Sequence, residues 1–417
     1  MKNLRGHLFL LGVLASSSFC LAEDAAQILQ RPSIQAAMTA AKSNEPGIIE
    51  QQIHICEIAA PPFQEMTRAK ELSRIFQEDL HLENVRIDEA GNVLGDRPGK
   101  VLHPHLVVAA HLDTVFPPET NVHVTREGDL LKGPGIGDDC RGLATLIGVV
   151  KAMNQANVQT NGSVTFVADV GEEGLGDLRG MKQLFGKTMP GQIDEFVSIE
   201  PGIPTRVSNG GVGSYRYRVT YTGPGGHSYG AFGLPNPIHA LGRTVAKISD
   251  LQVPATPKTT FNVGRIGGGT SVNAIPFEAW FEFDERSIDT ASLDAVDSKF
   301  KQAVQSGLDE ENARWGNKVL LKVQVQQVGN RPAGQTDPNS PIVQKAMASV
   351  RALGLGEPDL GAGSSDANVP MHLSIPAIVL GAGGVAKGSH SLQETDDVTD
   401  SWKGVENAIL TTVSLTE

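Results

Sequence analysis

The chain has 417 residues, 40% of them apolar and 20% charged, and a formal net charge of −12, the make-up of a soluble globular protein too long for one core and so of two domains. Its acidic balance excludes nucleic acid and anionic membrane surfaces as partners. Past the N-terminus no apolar run reaches the roughly 18 residues that a membrane span needs, so no membrane partner is expected.

Residues 1–22 read as an export signal: Lys2 and Arg5 form a positive start, residues 8–15 an apolar core, and Cys20-Leu21-Ala22 a cleavage site before Glu23. The expectation is an exported protein, periplasmic or secreted. A lipid-anchor site ending at Cys20 is disfavoured by the bulky Phe19 in front of it. Losing the two positive charges Lys2 and Arg5 takes the net charge from −12 to −14. Only Cys56 and Cys140 then remain, which is no disulfide framework. Cys56 reads as a small buried apolar residue. Cys140, two residues from Asp138, is open to a metal or redox role, and sequence alone does not place the two thiols within reach of each other.

Strand-like runs then alternate with amphipathic helices, the signature of an α/β fold with an open, mostly parallel sheet and flanking helices. The apolar run 106–110 ends at His111, with Asp113 two residues on. A Gly-rich loop, Gly133-Pro134-Gly135-Ile136-Gly137, leads to Asp138 and into a predicted buried helix over 142–153. The run 164–170 ends at Gly171-Glu172-Glu173, and 196–199 ends at Glu200. Between 212 and 328 the pattern changes to β-α-β-β-α-β: strands near 215–221, 259–266, 279–283 and 321–325, helices near 238–251 and 293–308. That order is a ferredoxin-like α+β unit, inserted as a lid into a catalytic domain made of 23–211 and 329–417. The first domain resumes with a helix over 340–353 and a strand over 377–380, whose Gly-rich exit leads to His390.

In open α/β sheets the ligand crevice lies beyond the carboxyl ends of the strands, so these groups converge on one edge of one sheet. A carboxylate, two imidazoles and further carboxylates fit two divalent ions about 3.5–4 Å apart. Asp138 is the natural bridge, with His111 and Glu200 completing one site and Glu173 and His390 the other. Two zinc ions suit this donor set, with cobalt or manganese as substitutes. A water between such ions drops in pKa from about 15.7 towards roughly 7. Asp113 is placed to orient the His111 ring. Glu172 is left as the general base, because adjacent residues on an extended chain point to opposite sides.

The series resembles the M20 family of co-catalytic zinc peptidases and amidohydrolases over essentially the whole chain after the signal. The motifs that carry the likeness are H-L-D at 111–113, G-x-G-x-x-D at 133–138, E-E at 172–173, E-P at 200–201, and His390 with Glu394 nearby. In the insert they are G-G-H-S at 225–228 and G-G-T-S-V-N-A-I-P at 268–276. The resemblance implies a hydrolase of terminal amide bonds, an exopeptidase on small peptides or an N-acyl amino acid deacylase. It implies that His227, Asn273 and Arg286 bind substrate, that the lid forms a homodimer, and that the Asp138–Asp139 peptide is cis. Where relatives often carry Lys then Gly or Ala after the two aspartates, this chain has Cys140-Arg141, which leaves the contacts on the substrate side open.

Two rival readings use the same residues. Gly226-His227-Ser228-Tyr229-Gly230 matches the G-x-S-x-G nucleophile elbow of serine α/β-hydrolases, with Asp366 and His390 following in the required order. An exported peptide-binding pseudoenzyme is the other, and its mark would be a missing base or ligand.

Overall fold

The computed structural model describes residues 25–417; the export-signal reading of residues 1–22 lies outside them. The chain divides into two compact units, one running to Gly210 and resuming from Thr336 to Glu417, the other Gly211–Gln335. Among the described residues no helix is long and apolar enough to cross a membrane.

The first unit is built on a mixed sheet whose main strands are β1 (Glu83–Ile87), β2 (Val93–Arg97), β3 (His105–His111), β4 (Ser163–Asp169), β5 (Glu195–Glu200), β6 (Arg206–Gly211), β7 (Asp359–Gly363) and β8 (Ala377–Gly381). They lie in the order β1-β2-β4-β3-β5-β8-β6, with β7 also paired to β6. The central four, β4-β3-β5-β8, run parallel, and β1, β2 and β6 add antiparallel pairings outside them. All seven residues of β3, H-L-V-V-A-A-H, are buried, as expected of a parallel strand covered on both faces.

Successive side chains of a strand point to opposite faces, and β3 divides accordingly. Leu106, Val108 and Ala110 enter a core completed by helices α1 (Pro32–Cys56), α2 (Cys140–Gln155), α3 (Pro341–Ala352) and α4 (Trp402–Leu415). Val107 and Ala109 enter a second core with Phe196, Met181, Leu184 and Met371. Each such Val, Leu, Met or Phe side chain contributes about 1.5–3 kcal/mol on burial, so both faces fix the sheet. A smaller antiparallel sheet joins Thr125–Glu127, Leu130–Lys132, Thr395–Asp397 and Val385–Lys387. Its pairing of Thr395 with Lys132 brings the segment after His390 against the loop that leads to Asp138.

The second unit is ferredoxin-like. Its antiparallel strands lie in the order Thr259–Gly268, Glu278–Ser287, Gly213–Thr222, Lys322–Arg331, with helices Pro237–Ser249 and Thr290–Arg314. Glu278–Ser287 alternates strictly between buried and more exposed positions. Its inward Phe283 stacks on Phe300 at 4.2 Å and an interplanar angle of 4°, and Phe281 meets the same ring edge-on at 6.5 Å. The opposite side of these strands carries an ionic ladder, Arg216–Asp284 at 3.1 Å and Arg218–Glu282 at 2.8 Å.

Candidate metal centre

Three adjacent parallel strands, β4, β3 and β5, end in Asp169, His111 and Glu200. Register places His111 opposite Asp169, and β8 sets Gly381 opposite Glu200. The loop that ends in Asp138 reaches the same edge. His111 Nε2 lies 3.1 Å from Asp138 Oδ1, and His390 Nε2 lies 3.3 Å from Asp138 Oδ2 and 2.9 Å from Glu173 Oε1. Candidate ligand atoms of His111, Asp138 and Glu200 fall within 4.8 Å of one another, as do those of Asp138, Glu173 and His390. The five residues that strand ends and spacing single out are thus brought together, in two triads that share Asp138. Glu172 adjoins them: it groups with His111 and Glu173 within the same 4.8 Å limit. The Asp138–Asp139 peptide is cis, and the Asp139 carboxylate caps α2 by accepting from Gly142 N at 3.0 Å.

Asp113 works differently from the expectation. The His111 ring is oriented by the main-chain carbonyl of Asp113, 3.1 Å from Nδ1, while the Asp113 carboxylate stands 3.7 Å from that nitrogen. That carboxylate accepts the amides of Gly171 at 2.9 Å, Glu172 at 3.1 Å and Glu173 at 2.9 Å. It therefore holds the Glu-Glu turn, because three consecutive amides outside any sheet or helix need an acceptor.

Burial opposes the charge on His111, yet the Asp113 and Asp138 carboxylates outweigh it and hold the imidazole well above its usual range. Burial alone would raise Asp138, and the two imidazoles instead pull it far below the ordinary carboxylate range. Glu200 is pushed well up by burial, which the neighbouring His111 charge offsets only in part while Glu172, Asp366 and Asp138 add to it. The Asp169 and Asp366 carboxyls hydrogen-bond to each other, and burial pushes Asp169 up to about 8. No other donor reaches their four oxygens among the described residues, so the pair shares a proton and carries at most one negative charge. This surplus of buried acid fits divalent cations. Once ionised, Asp138, Glu172, Glu173 and Glu200 would carry four negative charges, which two divalent ions would balance, and oxygen and imidazole donors suit zinc, cobalt or manganese.

A profile of the peptidase family M20/M25/M40 matches residues 107–410, the span that holds every one of these groups. The chain belongs to this family. It is similar to succinyl-diaminopimelate desuccinylase from Nitrosospira multiformis, 24% identical over 290 residues, which span 64% of this chain and 74% of that one. In structure it is similar to a tripeptidase from Staphylococcus aureus, with a TM-score of 0.74 at 21% identity over 89% of this chain and 98% of the other. It is also similar to the aminopeptidase PepT from Bacillus cereus, with a TM-score of 0.73 at 20% identity over 90% and 99% of the two chains.

The M20 scaffold also shows what the remaining sequence signals do. Cys140 is fully buried beside Cys56 in an apolar cluster with Ile49, Leu131 and Ile136, and both are free thiols. Neither belongs to a group of candidate metal ligands among the described residues. Arg141 is also buried; its guanidinium donates to the carbonyls of Ser401 at 2.9 Å and Ala382 at 3.4 Å and pairs with Glu45. It therefore joins loops to helices and does not face a substrate.

In the second unit His227 and Asn273 meet across a two-residue ladder: His227 pairs with Ala274, and Ser228 N donates to the Asn273 carbonyl at 2.9 Å. The amides of Tyr229 and Gly230 donate to His227 Nδ1 at 3.2 Å each, which leaves Nε2 to carry the ring proton. Arg286 is separate from this pair. It lies near the far end of Glu278–Ser287 and donates to Asp284, roughly 27 Å of extended strand from Glu278. The serine-hydrolase reading fails on local geometry. Ser228 follows a two-residue strand and enters a turn, with no helix before Pro237, whereas a nucleophile elbow needs a strand running directly into a helix. Asp366 pairs with Asp169 and does not orient His390.

The side chain that sequence reasoning passed over is Glu394, noted only as lying near His390. It is fully buried, and its carboxylate accepts from Gly135, Gly137 and Asp138. Burial pushes this carboxyl up to about 7 against the pull of the three amides.

Proposed function

We propose that this M20 protein is an exported di-zinc exopeptidase that cleaves the terminal amide bond of small peptides. The observation that carries the reading is the pair of ligand triads joined at Asp138. His111, Asp138 and Glu200 would hold one ion, and Asp138, Glu173 and His390 the other. When bound, two such ions supply Lewis acidity that polarises the amide carbonyl and acidifies water. Glu172 takes the proton of the attacking water and returns it to the leaving nitrogen. Asp113 keeps Glu172 and Glu173 in their places through their amides. In the lid, His227 has the proton-bearing Nε2 needed to donate to an oxyanion, with Asn273 beside it and Arg286 as a cationic contact for a substrate carboxylate. His227 pairs with Ala274, before the start of Glu278–Ser287, and Arg286 lies near the far end of that strand, a separation that supports a homodimer through the lid in which two copies contribute them.

A second reading, N-acyl amino acid deacylase, is favoured by the similarity to a desuccinylase. The chemistry is the same, and only the acyl side of the scissile bond differs. Hydrolysis of di- and tripeptides and N-acyl amino acids by the purified chain, before chelation, after it and after zinc is restored, tests both. Chelator-sensitive release of a terminal residue supports the peptidase, and release of an acyl group alone supports the deacylase. Full metal content without turnover on any member of the panel would point to a binding protein.

Zinc uptake should also be linked to protons. Hydrogen bonds that His390 donates to the Asp138 and Glu173 carboxylates push its pKa up to about 10 in the metal-free protein. At neutral pH a metal must therefore displace that proton. The affinity for zinc is expected to rise with pH, by about tenfold per unit for each proton displaced, until the His390 share ends near pH 10. Calorimetric titration at pH 7 in two buffers of different protonation enthalpy measures the release; identical heats in both would remove His390 from the ligand set.

A further inference from the structure

We propose that Glu394 is the positioning residue for the shared ligand Asp138, and that through it the protein sets the affinity of both metal sites. The inference rests on the metal reading above and on a contact network of its own. The small sheet pairs Thr395 with Lys132, and Gly133 N donates to the Glu394 carbonyl at 3.1 Å, so residue 394 is registered against the start of the Asp138 loop. Its side chain then spans that loop. Glu394 Oε2 accepts from Gly135 N at 3.0 Å, and Oε1 accepts from Gly137 N at 3.0 Å and Asp138 N at 2.8 Å.

The loop requires such an acceptor. Gly135 has a φ of +79°, and a Cβ on Gly137 would come within 2.7 Å of the Ala386 Cβ. Glycine is therefore needed at both positions, and a glycine-rich segment gains backbone freedom that something must remove. Its three amides serve neither sheet nor helix, and buried amides without an acceptor are costly. A carboxylate is suited to all three, with two acceptor oxygens and no competing donor. A glutamine of the same shape has one acceptor oxygen and sets its NH2 against the amide left over.

Glu394 also belongs to the segment that presents His390: Ser391 N donates to Gly388 O and Glu394 N to Ser391 O, at 3.1 Å each. One side chain thus ties the turn bearing His390 to the loop bearing Asp138, whose Oδ2 lies 3.3 Å from His390 Nε2. A shift of this link moves a ligand of both triads at once.

The test uses the full chain and three variants: Glu394→Gln, Glu394→Asp, and, as a control, Glu311→Gln. Glu311 is likewise fully buried and accepts from Asn236 N and Trp315, but belongs to the second unit. Zinc affinity is read by competition with a chromophoric chelator, unfolding by thermal melting of the metal-stripped proteins, and loop order by amide hydrogen exchange at Gly135, Gly137 and Asp138. Glu394→Gln is expected to weaken zinc binding at both sites by about 10–100-fold and to release the three amides to exchange, with a metal-free melting point no lower than that of Glu311→Gln. Glu394→Asp, which keeps both oxygens but withdraws them by one methylene, is expected to fall between. Wild-type zinc affinity in Glu394→Gln, or protected loop amides in it, overturns the proposal; if that variant does not fold, the same results in Glu394→Asp do so. Failure of the wild-type chain to take up zinc, with the amides still released in Glu394→Gln, would instead sink the metal reading and leave the positioning role standing.

Discussion

Glu172→Gln is expected to keep two metal ions and the native fold while slowing turnover by about 10²–10⁴-fold, the usual contribution of a positioned general acid–base. The local geometry separates this residue from its neighbour. The Asp113 carboxylate takes the amides of both glutamates, at 3.1 Å and 2.9 Å, and so fixes the backbone between them. Glu173 uses its carboxylate on His390 at 2.9 Å, within one of the triads. Glutamine at 172 keeps the volume and the hydrogen-bonding oxygen but cannot accept a proton. The competing assignment makes Glu172 a ligand, since it also groups with His111 and Glu173. Metal analysis beside steady-state kinetics separates the two. Two ions with low kcat identify a base, loss of an ion identifies a ligand, and near-normal kcat with two ions excludes both roles.

The framework of the site was readable because fully buried parallel strands write themselves as short apolar runs. The runs at 106–110, 164–170, 196–199 and 377–380 each point to a strand of the central sheet, and the polar residues just beyond them gather at one edge for that reason. The inserted unit was readable from alternation in Tyr215, Tyr217, Val219 and Tyr221 and from its change of order. Sequence was silent about the edges. β1 has no buried residue and β7 is mostly exposed, and neither carries a continuous apolar pattern, so nothing in their composition marks them as strands.

The side-chain roles missed share a cause, namely that long-range backbone contacts leave no spacing rule. Asp113 sits two residues after a candidate ligand and reads as its partner, yet its carboxylate is engaged by amides from another strand's exit. Arg141 follows the two aspartates, and the sequence leaves its contacts open; the first turn of α2 carries it inward to the carbonyls of Ala382 and Ser401. Glu394 lies four residues past His390, a separation that on its own describes an ordinary surface turn. Only the register of the small sheet turns it inward.

Removing single ligands is expected to divide the centre into two halves. His390→Ala and Glu173→Ala should each lower metal content from two ions to one, His111→Ala and Glu200→Ala should each remove the other, and Asp138→Ala should take the content towards zero. The asymmetry follows from the carboxylate of Asp138, which presents Oδ1 to His111 at 3.1 Å and Oδ2 to His390 at 3.3 Å, one oxygen to each side. In the two triads that share Asp138, each of the other four donors appears once. Turnover should fall by at least the factor expected for Glu172→Gln in every case, if the proposed base acts on a water that both ions would help to acidify. His390 is the cleanest position for this test, since its side chain is 54% exposed and its loss opens no cavity in the core. His111 is fully buried, so His111→Ala also needs a melting curve to separate a lost ligand from a lost fold. Metal analysis by mass spectrometry on gel-filtered protein reads the outcome directly: His390→Ala with two ions refutes the pairing with Glu173, and Asp138→Ala with one tightly held ion refutes the bridge.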